Sequence, residues 1–176
     1  KYGASLQLNL LMNVNQDGGP RVYWLQDILG INTSNNMFYI TDNIWNKTMP
    51  AASMVAKAVA GNGKVQFSSQ DRRNFYVDTY PRYEMNYSLP FSIKLIVKEA
   101  PGRGGIVVSF GYQLLRNDFC SGRPHTWSCI NSYYNDTPQQ VIFYDNVTVR
   151  NATNATILVT PYYMTPSNSL WWGGDY

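Results

Sequence analysis

The sequence predicts an all-β fold, an antiparallel β-sandwich of at least seven strands with room for one short helix. Residues that favour strands are abundant, with 14 Tyr, 7 Phe and 5 Trp in a chain of 176 residues. Stretches with the helical spacing of apolar residues are scarce. Because 44% of the residues are hydrophobic, the chain can bury a sizeable core, and we expect one domain over residues 1–176.

Alternation of apolar and polar residues places the strands of the N-terminal half. The segment 6–14 alternates strictly between apolar and mainly polar residues, which is typical of a strand with one solvated face. A turn at residues 16–20 leads into a second extended run at residues 22–26, and residues 37–44 form a third. This spacing predicts a meander.

One helix is predicted, over residues 51–60. The segment is rich in alanine, follows Pro50 and ends at Gly61, which are start and stop signals of helices. Thr48 is a candidate for the cap of this helix.

The C-terminal half contains a predicted hairpin and two further strands. Residues 91–97 alternate in phase, and the glycine-rich segment 102–105 returns the chain into residues 106–115. Extended runs follow at residues 141–149 and 157–163. Together with the first half, these strands have the spacing of a sandwich.

Charge and hydropathy exclude two classes of partner. The net charge is +3, and the basic residues form no run longer than Arg72-Arg73, so we expect no nucleic acid. No apolar stretch approaches the roughly 20 residues that span a bilayer, so we expect no membrane span. Only 14% of residues are charged, and a fold that relies on uncharged amides loses little stability when carboxylates are protonated in acid.

Sequons and cysteines point to export into an oxidising, extracellular setting. A disulfide between Cys120 and Cys129 is predicted, because the segment between them has the composition of an exposed loop. The alternative is a reactive thiol, for which no activating environment is evident. N-linked glycans are predicted at the Asn-x-Ser/Thr sequons, which are Asn32, Asn46, Asn86, Asn135, Asn146, Asn151 and Asn154.

Several kinds of catalytic site are excluded by residue type. His125 is the single histidine, which rules out a zinc site of the HExxH kind and leaves a serine triad without a matching serine motif. The glycine groups at residues 61–63 and 102–105 lack the Lys-Ser/Thr of a phosphate loop. We therefore expect no cofactor and no metal.

Two Asp-Asn dipeptides are the best candidates for acid-base chemistry. Asp42 shares its strand phase with Phe38, Ile40 and Ile44, and Asp145 shares its phase with Val141, Phe143, Val147 and Val149. A carboxyl on an apolar face has a raised pKa unless a donor offsets the loss of water. The structural alternative is that each Asp ends a strand and bonds a neighbouring turn. The weaker candidates are Asp27, Glu84 and Glu99.

Five segments resemble the thermopsin family of archaeal acid proteases. They are residues 3–9 (GASLQLN), 23–27 (YWLQD), 42–46 (DNIWN), 89–91 (LPF) and 144–146 (YDN). The resemblance implies a secreted, glycosylated, acid- and heat-tolerant endopeptidase of aspartic type from an acidophile, and it carries over no catalytic residue. Family members have further segments on both sides, so we expect this domain to be a portion that lacks the flanks.

Two functions therefore compete. The first is an endopeptidase that acts on polypeptides through Asp42 and Asp145, which would lie less than about 8 Å apart to hold one water. The second is a non-catalytic glycoprotein of the cell surface or of an extracellular filament, which would assemble with other copies through open sheet edges.

Overall fold

The computed structural model describes most of the chain. The described residues are 3–32, 37–84, 91–117, 119–121, 128–130, 140–159 and 173–175. The backbone alone is described at residues 3–4, 32, 37, 81–84, 91–92, 114–117, 119–121, 128–130, 159 and 173–175. Within these ranges no helix is long and apolar enough to cross a membrane.

The described chain is built almost entirely of strands, as predicted. In chain order they are β1 (Gly3–Gln16), β2 (Gly19–Asn32), β3 (Met37–Asn46), β4 (Val59–Ala60), β5 (Lys64–Ser68), β6 (Arg73–Glu84), β7 (Phe91–Gly102), β8 (Gly105–Asn117), β9 (Phe119–Ser121), β10 (Ser128–Ile130), β11 (Ile142–Arg150), β12 (Ala152–Val159) and β13 (Gly173–Asp175). The all-β class is therefore confirmed.

Two sheets face each other and form the sandwich. The first sheet has the order β12-β1-β2-β3-β6-β5, with β13 parallel to the start of β1, and the second has the order β4-β11-β8-β7. All other pairs within the two sheets are antiparallel. A separate short ladder joins β9 to β10.

The predicted meander and hairpin are both present. The β1–β2 turn places Asp17 (φ 50°) and Gly18 (φ 79°) at positive φ, the requirement of a type I′ turn, whose twist matches that of the flanking strands. The β7–β8 hairpin turns at Arg103 and Gly104, where Gly104 has φ 88°. Each turn fixes the pairing register of two long strands, so the alternating apolar residues of both strands project from the same face of the sheet.

The core lies between the two sheets. It is built from the inner faces of the long strands, for example Leu10 and Met12 of β1, Leu25 of β2, and Val108 and Phe110 of β8, which are at most 4% exposed. The residues of β1 that alternate with these core residues, such as Asn13 and Asn15, lie on the opposite face and are exposed. Burial of the apolar face drives the pairing of the sheets.

The helical segment is shorter than predicted. One 3-10 helix covers Ala56–Ala58, and the predicted segment ends as strand β4. Thr48 caps no helix, because its Oγ1 accepts a hydrogen bond from the backbone N–H of Val22 (3.1 Å) and its own N–H donates to Asn46 Oδ1 (3.0 Å). Without a cap, a short helix has little intrinsic stability in water.

A β-bulge in β11 corrects the predicted phase of that strand. Phe143 pairs with Gly111 and Asp145 pairs with Phe110, so Tyr144 is the extra residue. Phe143 consequently lies on the outer face, where the Lys98 Nζ is 4.1 Å from its ring centroid, and it does not share the inner face of Asp145. Tyr144 and Asp145 are instead both buried, side by side in sequence.

Candidate active site

A row of aspartates crosses the inner face of the first sheet. Asp27 of β2 is the register partner of Asp42 of β3, and Asp42 is the partner of Asp78 of β6. Register partners in antiparallel strands project from the same face. The facing sheet contributes Asp145 from β11, at the bulge. Strand pairing and the packing of the two sheets thus bring together carboxyls from four strands.

Three of these carboxyls form a compact cluster. One oxygen each of Asp42, Asp78 and Asp145 lies within 4.8 Å of the other two. The spacing of Asp42 and Asp145 is inside the limit of about 8 Å for two groups that hold one water. Asp42 and Asp145 are 0% exposed, whereas Asp78 is partly exposed.

Two tyrosines join the sheets through reciprocal hydrogen bonds to aspartates. Tyr76 of the first sheet donates its hydroxyl to Asp145 Oδ2 of the second (2.6 Å). In the opposite direction, Tyr144 of the second sheet donates to Asp27 Oδ1 of the first (2.5 Å). Burial raises the pKa of both tyrosines, so both hydroxyls keep their protons and serve as donors.

The loop 61–63 shapes the surroundings of Asp145. The backbone N–H of Asn62 donates to Asp145 Oδ1 (3.0 Å), and that of Gly63 donates to the Tyr76 hydroxyl (2.7 Å). A Cβ on Gly61 would lie 2.2 Å from the Tyr76 hydroxyl oxygen and 3.0 Å from Asp145 Oδ1. Only glycine fits at that position. Both oxygens of Asp145 therefore accept a hydrogen bond.

Asp42 has the opposite environment. Both of its carboxyl oxygens are buried, and no other described residue donates a hydrogen bond to either. Burial, reinforced by the nearby charges of Asp145, Asp78 and Asp27, raises the pKa of Asp42 to about 9. The side chain is thus a neutral acid at acid and neutral pH, and it can donate a proton.

Asp27 and Asp78 complete the row with intermediate properties. Burial raises the pKa of Asp27 to about 7, although the hydrogen bonds from the Tyr144 hydroxyl and from the Ile96 and Gly111 amides oppose the rise. Burial and then the charge of Asp145 raise the pKa of Asp78 as well. In acid, the cluster and the neighbouring Asp27 therefore carry much less negative charge than four carboxyls suggest.

The cluster also has the spacing of a cation site, since each of its three carboxyls offers one oxygen. The expectation of no metal remains a prediction. Protonation of Asp42 removes one of the charges that a cation would need, so the arrangement suits a shared proton better than a cation in acid.

Comparison with known proteins identifies the family of the chain. The family model described as Thermopsin matches residues 1–174. The chain belongs to the Thermopsin family. A curated relative named Thermopsin, from Sulfolobus acidocaldarius, is 39% identical over 64 residues, which cover 36% of this chain and 19% of the length of that protein. No solved structure matches the chain.

Three of the five segments that resemble the Thermopsin family contain one of the four carboxyls. Residues 23–27 lie within β2 and end at Asp27, residues 42–46 begin at Asp42 in β3, and residues 144–146 contain Asp145 and the bulge of β11. Residues 3–9 lie in β1, beside β2. The segments of family resemblance therefore include Asp27, Asp42 and Asp145, whereas Asp78 lies in none of them.

The three weaker candidates are Glu99, Glu84 and Asp27. Glu99 lies in β7 opposite Val108, near the hairpin end, and is partly exposed. The backbone of Glu84 ends β6, and its side chain lies outside the described residues. Of the predicted candidates, Asp42 and Asp145 lie within the cluster, and Asp27 lies beside Asp42.

The structure describes some of the residues predicted as glycosylation sites and as a disulfide. Asn146, Asn151 and Asn154 are exposed, and Asn46 is partly buried. The side chain of Asn32, together with Asn86, Asn135 and His125, lies outside the described residues. The backbone of Cys120 is the direct register partner of Cys129 in the β9–β10 ladder.

Three groups of the site were missed by sequence reasoning: Asp78, the tyrosines Tyr76 and Tyr144, and the loop 61–63. The signal for Asp78 is its phase, since Tyr76, Asp78 and Tyr80 alternate in β6. For the loop, the sequence excludes a phosphate site and indicates no other role. Its contacts with β6 and β11 join segments distant in sequence, and no local pattern reports them.

Proposed function

We propose that this chain is an acid-acting endopeptidase of aspartic type, with Asp42 and Asp145 as its catalytic pair. The observation that carries the proposal is the contrast between two neighbouring buried carboxyls. Asp145 accepts two hydrogen bonds, while Asp42 accepts none from any other described residue. Pairs of titrating groups whose environments differ in this way perform acid and base roles in one site.

In the proposed reaction, Asp145 is the base and Asp42 is the acid. The ionised Asp145 takes a proton from a water molecule, whose oxygen forms a bond to the peptide carbonyl carbon. Asp42 gives its proton to the carbonyl oxygen, and a neutral gem-diol results. Asp145 then passes its proton to the amide nitrogen while the C–N bond breaks, and a diol hydroxyl returns a proton to Asp42. The products are a carboxylic acid and an amine.

The pH dependence follows from the protonation of the cluster. Because the pKa of Asp42 is raised to about 9 and that of Asp27 to about 7, rising pH adds negative charge beside the pair. Ionisation of Asp42 removes the acid, and ionisation of its register partner Asp27 places a like charge beside it. We expect activity in acid, and a fall as the pH rises above about 7 and these two groups lose their protons.

The proposed setting is secreted and extracellular, in an acidic and hot environment. N-linked glycans on Asn146, Asn151 and Asn154 fit their exposed side chains. A disulfide between Cys120 and Cys129 fits their register, because directly opposed residues of antiparallel strands have Cα atoms about 4.5–5.5 Å apart. Intact mass of the exported protein tests the glycans: a mass equal to that of the bare polypeptide would contradict them.

The test of the proposal is cleavage of an unfolded protein, such as fluorescently labelled casein, across the acid range. Asp42→Asn and Asp145→Asn keep the side-chain shape and should each lower kcat by roughly 10³-fold. Asp71→Asn, in the exposed β5–β6 turn, is the matched control and should cleave at the wild-type rate. Absence of cleavage by the wild-type chain at any pH would overturn the proposal.

The alternative is a non-catalytic glycoprotein that assembles with other copies at the cell surface or in a filament. One observation favours it: among the described strands, none covers the side of β6 away from β3 beyond Val77. Open edges can pair with a strand from another copy. Pro81 lies in this part of β6 and has no N–H to donate, which limits such pairing. Sedimentation showing large assemblies without cleavage would favour the alternative.

A further inference from the structure

The proposed catalytic pair has no side-chain surface in contact with solvent. Asp42 and Asp145 are both 0% exposed. A water molecule and a polypeptide must nevertheless reach their oxygens for the reaction to occur. Asp78 is the only carboxyl of the three-membered cluster with a partly exposed side chain. The cluster therefore meets solvent at Asp78.

The position of Asp78 in the first sheet explains its exposure. Strand β5 pairs with β6 from Arg73 to Val77, and Asp78 is the next residue. It is thus the first residue of β6 whose outer side no described strand covers. On the facing sheet, the Asn62 side chain donates to the carbonyl of Tyr144 (3.2 Å) and covers the neighbouring edge of β11. Asp78 therefore lies at the part of the β6 edge that no described strand covers, with the Asn62 side chain across the neighbouring edge of β11.

Local contacts hold Asp78 towards the pair. Its backbone carbonyl accepts a hydrogen bond from Thr41 Oγ1 (2.5 Å), which fixes the backbone of β6 against β3. Its register partner is Asp42, and one of its oxygens lies within 4.8 Å of both Asp42 and Asp145. The raised pKa of Asp78, caused by burial and then by the charge of Asp145, is consistent with this close approach.

We propose that Asp78 is a third catalytic residue, which contacts the attacking water and the incoming polypeptide on the solvent side of the Asp42–Asp145 pair. This inference rests on the proposed endopeptidase function. Asp78 hydrogen-bonds the water as it enters and holds it in reach of the Asp145 oxygen, and no bond to Asp78 forms or breaks. Its effect is one of orientation, and loss of orientation lowers kcat steeply.

The experiment compares Asp78→Asn and Asp78→Glu with the Asp71→Asn control and with the pair variants. For each, kcat, KM and the pH profile are measured on labelled casein, and the midpoint of thermal unfolding is measured at the same pH. Asp78→Asn should lower kcat by roughly 10²-fold and alter the pH profile, with an unfolding midpoint close to that of the control. Asp78→Glu, which keeps a carboxyl, should recover part of the activity.

The outcomes separate the two proposals. If the pair variants lose activity while Asp78→Asn keeps the wild-type kcat and pH profile, Asp78 has no catalytic role and the endopeptidase proposal stands. If Asp78→Asn loses activity only in proportion to a lowered unfolding midpoint, its role is structural and the inference is overturned. If the wild-type chain cleaves nothing, the endopeptidase proposal and the role of Asp78 both fail.

Discussion

Replacement of Asp42 by Asn should change how stability depends on pH. The ordinary pKa of the Asp42 carboxyl is 3.8, and in the folded chain it is about 9. The folded chain therefore keeps a proton that the unfolded chain releases as pH rises above 3.8. A raised acid pKa contributes stability that is fully present below the unfolded value and is lost as pH rises towards the folded value.

The magnitude follows from the size of this pH window. Each pH unit between the unfolded pKa and the measured pH lowers the free energy of unfolding by about 1.36 kcal/mol. Between roughly pH 3 and pH 7, Asp42 alone should thus remove on the order of 4 kcal/mol. Asp27, whose pKa is raised to about 7, acts in the same direction. The domain should be most stable in acid.

Asp42→Asn removes the titrating group and leaves a neutral side chain of the same shape. In acid, we expect the variant to be less stable by about 1 kcal/mol, because the buried amide has two N–H donors where the protonated acid has one O–H donor. Near neutral pH, it should be more stable than the wild-type chain, since nothing ionises at position 42. The two curves of unfolding free energy against pH should cross.

Chemical denaturation followed by tryptophan fluorescence at several pH values measures both curves, and Asp71→Asn is the control with an exposed carboxyl. The control curve should run parallel to the wild-type curve. A wild-type stability that stays level or rises from acid to neutral pH would refute this reasoning. So would an Asp42→Asn curve that runs parallel to the wild type.

Further predictions concern the groups around the pair. Tyr76→Phe removes a donor to a buried carboxylate and should lower the free energy of unfolding by about 1–3 kcal/mol, measured by denaturation. Gly61→Ala places a methyl group 2.2 Å from the Tyr76 hydroxyl oxygen and should abolish most cleavage. Gly19→Ala, where the added Cβ meets only a side-chain atom at 3.7 Å, should be tolerated. Mass spectrometry without reduction should show Cys120 joined to Cys129, and two alkylatable thiols would contradict the bridge.

Much of the fold could be predicted because alternation reports burial directly. The phase of residues 38–44 places Asp42 with Phe38, Ile40 and Ile44, and all four are at most 2% exposed in the structure. The two hairpins were predicted from glycine-containing turns whose backbone requires positive φ. These features depend on neighbours in sequence, so a single chain is sufficient to find them.

The rest of the site depends on contacts between distant segments. Strict alternation cannot reveal the bulge at Tyr144, which moves Phe143 outward and brings Tyr144 inward. Nor does the sequence show that β6 pairs with β3, which is what brings Asp78 beside Asp42. The hydrogen bond between Tyr76 and Asp145 spans 69 residues, so it follows only from the topology.

The central claim is that Asp42 and Asp145 act together as one catalytic unit. The most direct test compares kcat/KM for cleavage of labelled casein in acid by Asp42→Asn, Asp145→Asn and the double variant. If the two carboxyls act as a unit, each single variant should lose roughly 10³-fold, and the double variant should lose little more than either. Single variants that keep activity within about tenfold of the wild-type chain, or losses that multiply in the double variant, would contradict the claim.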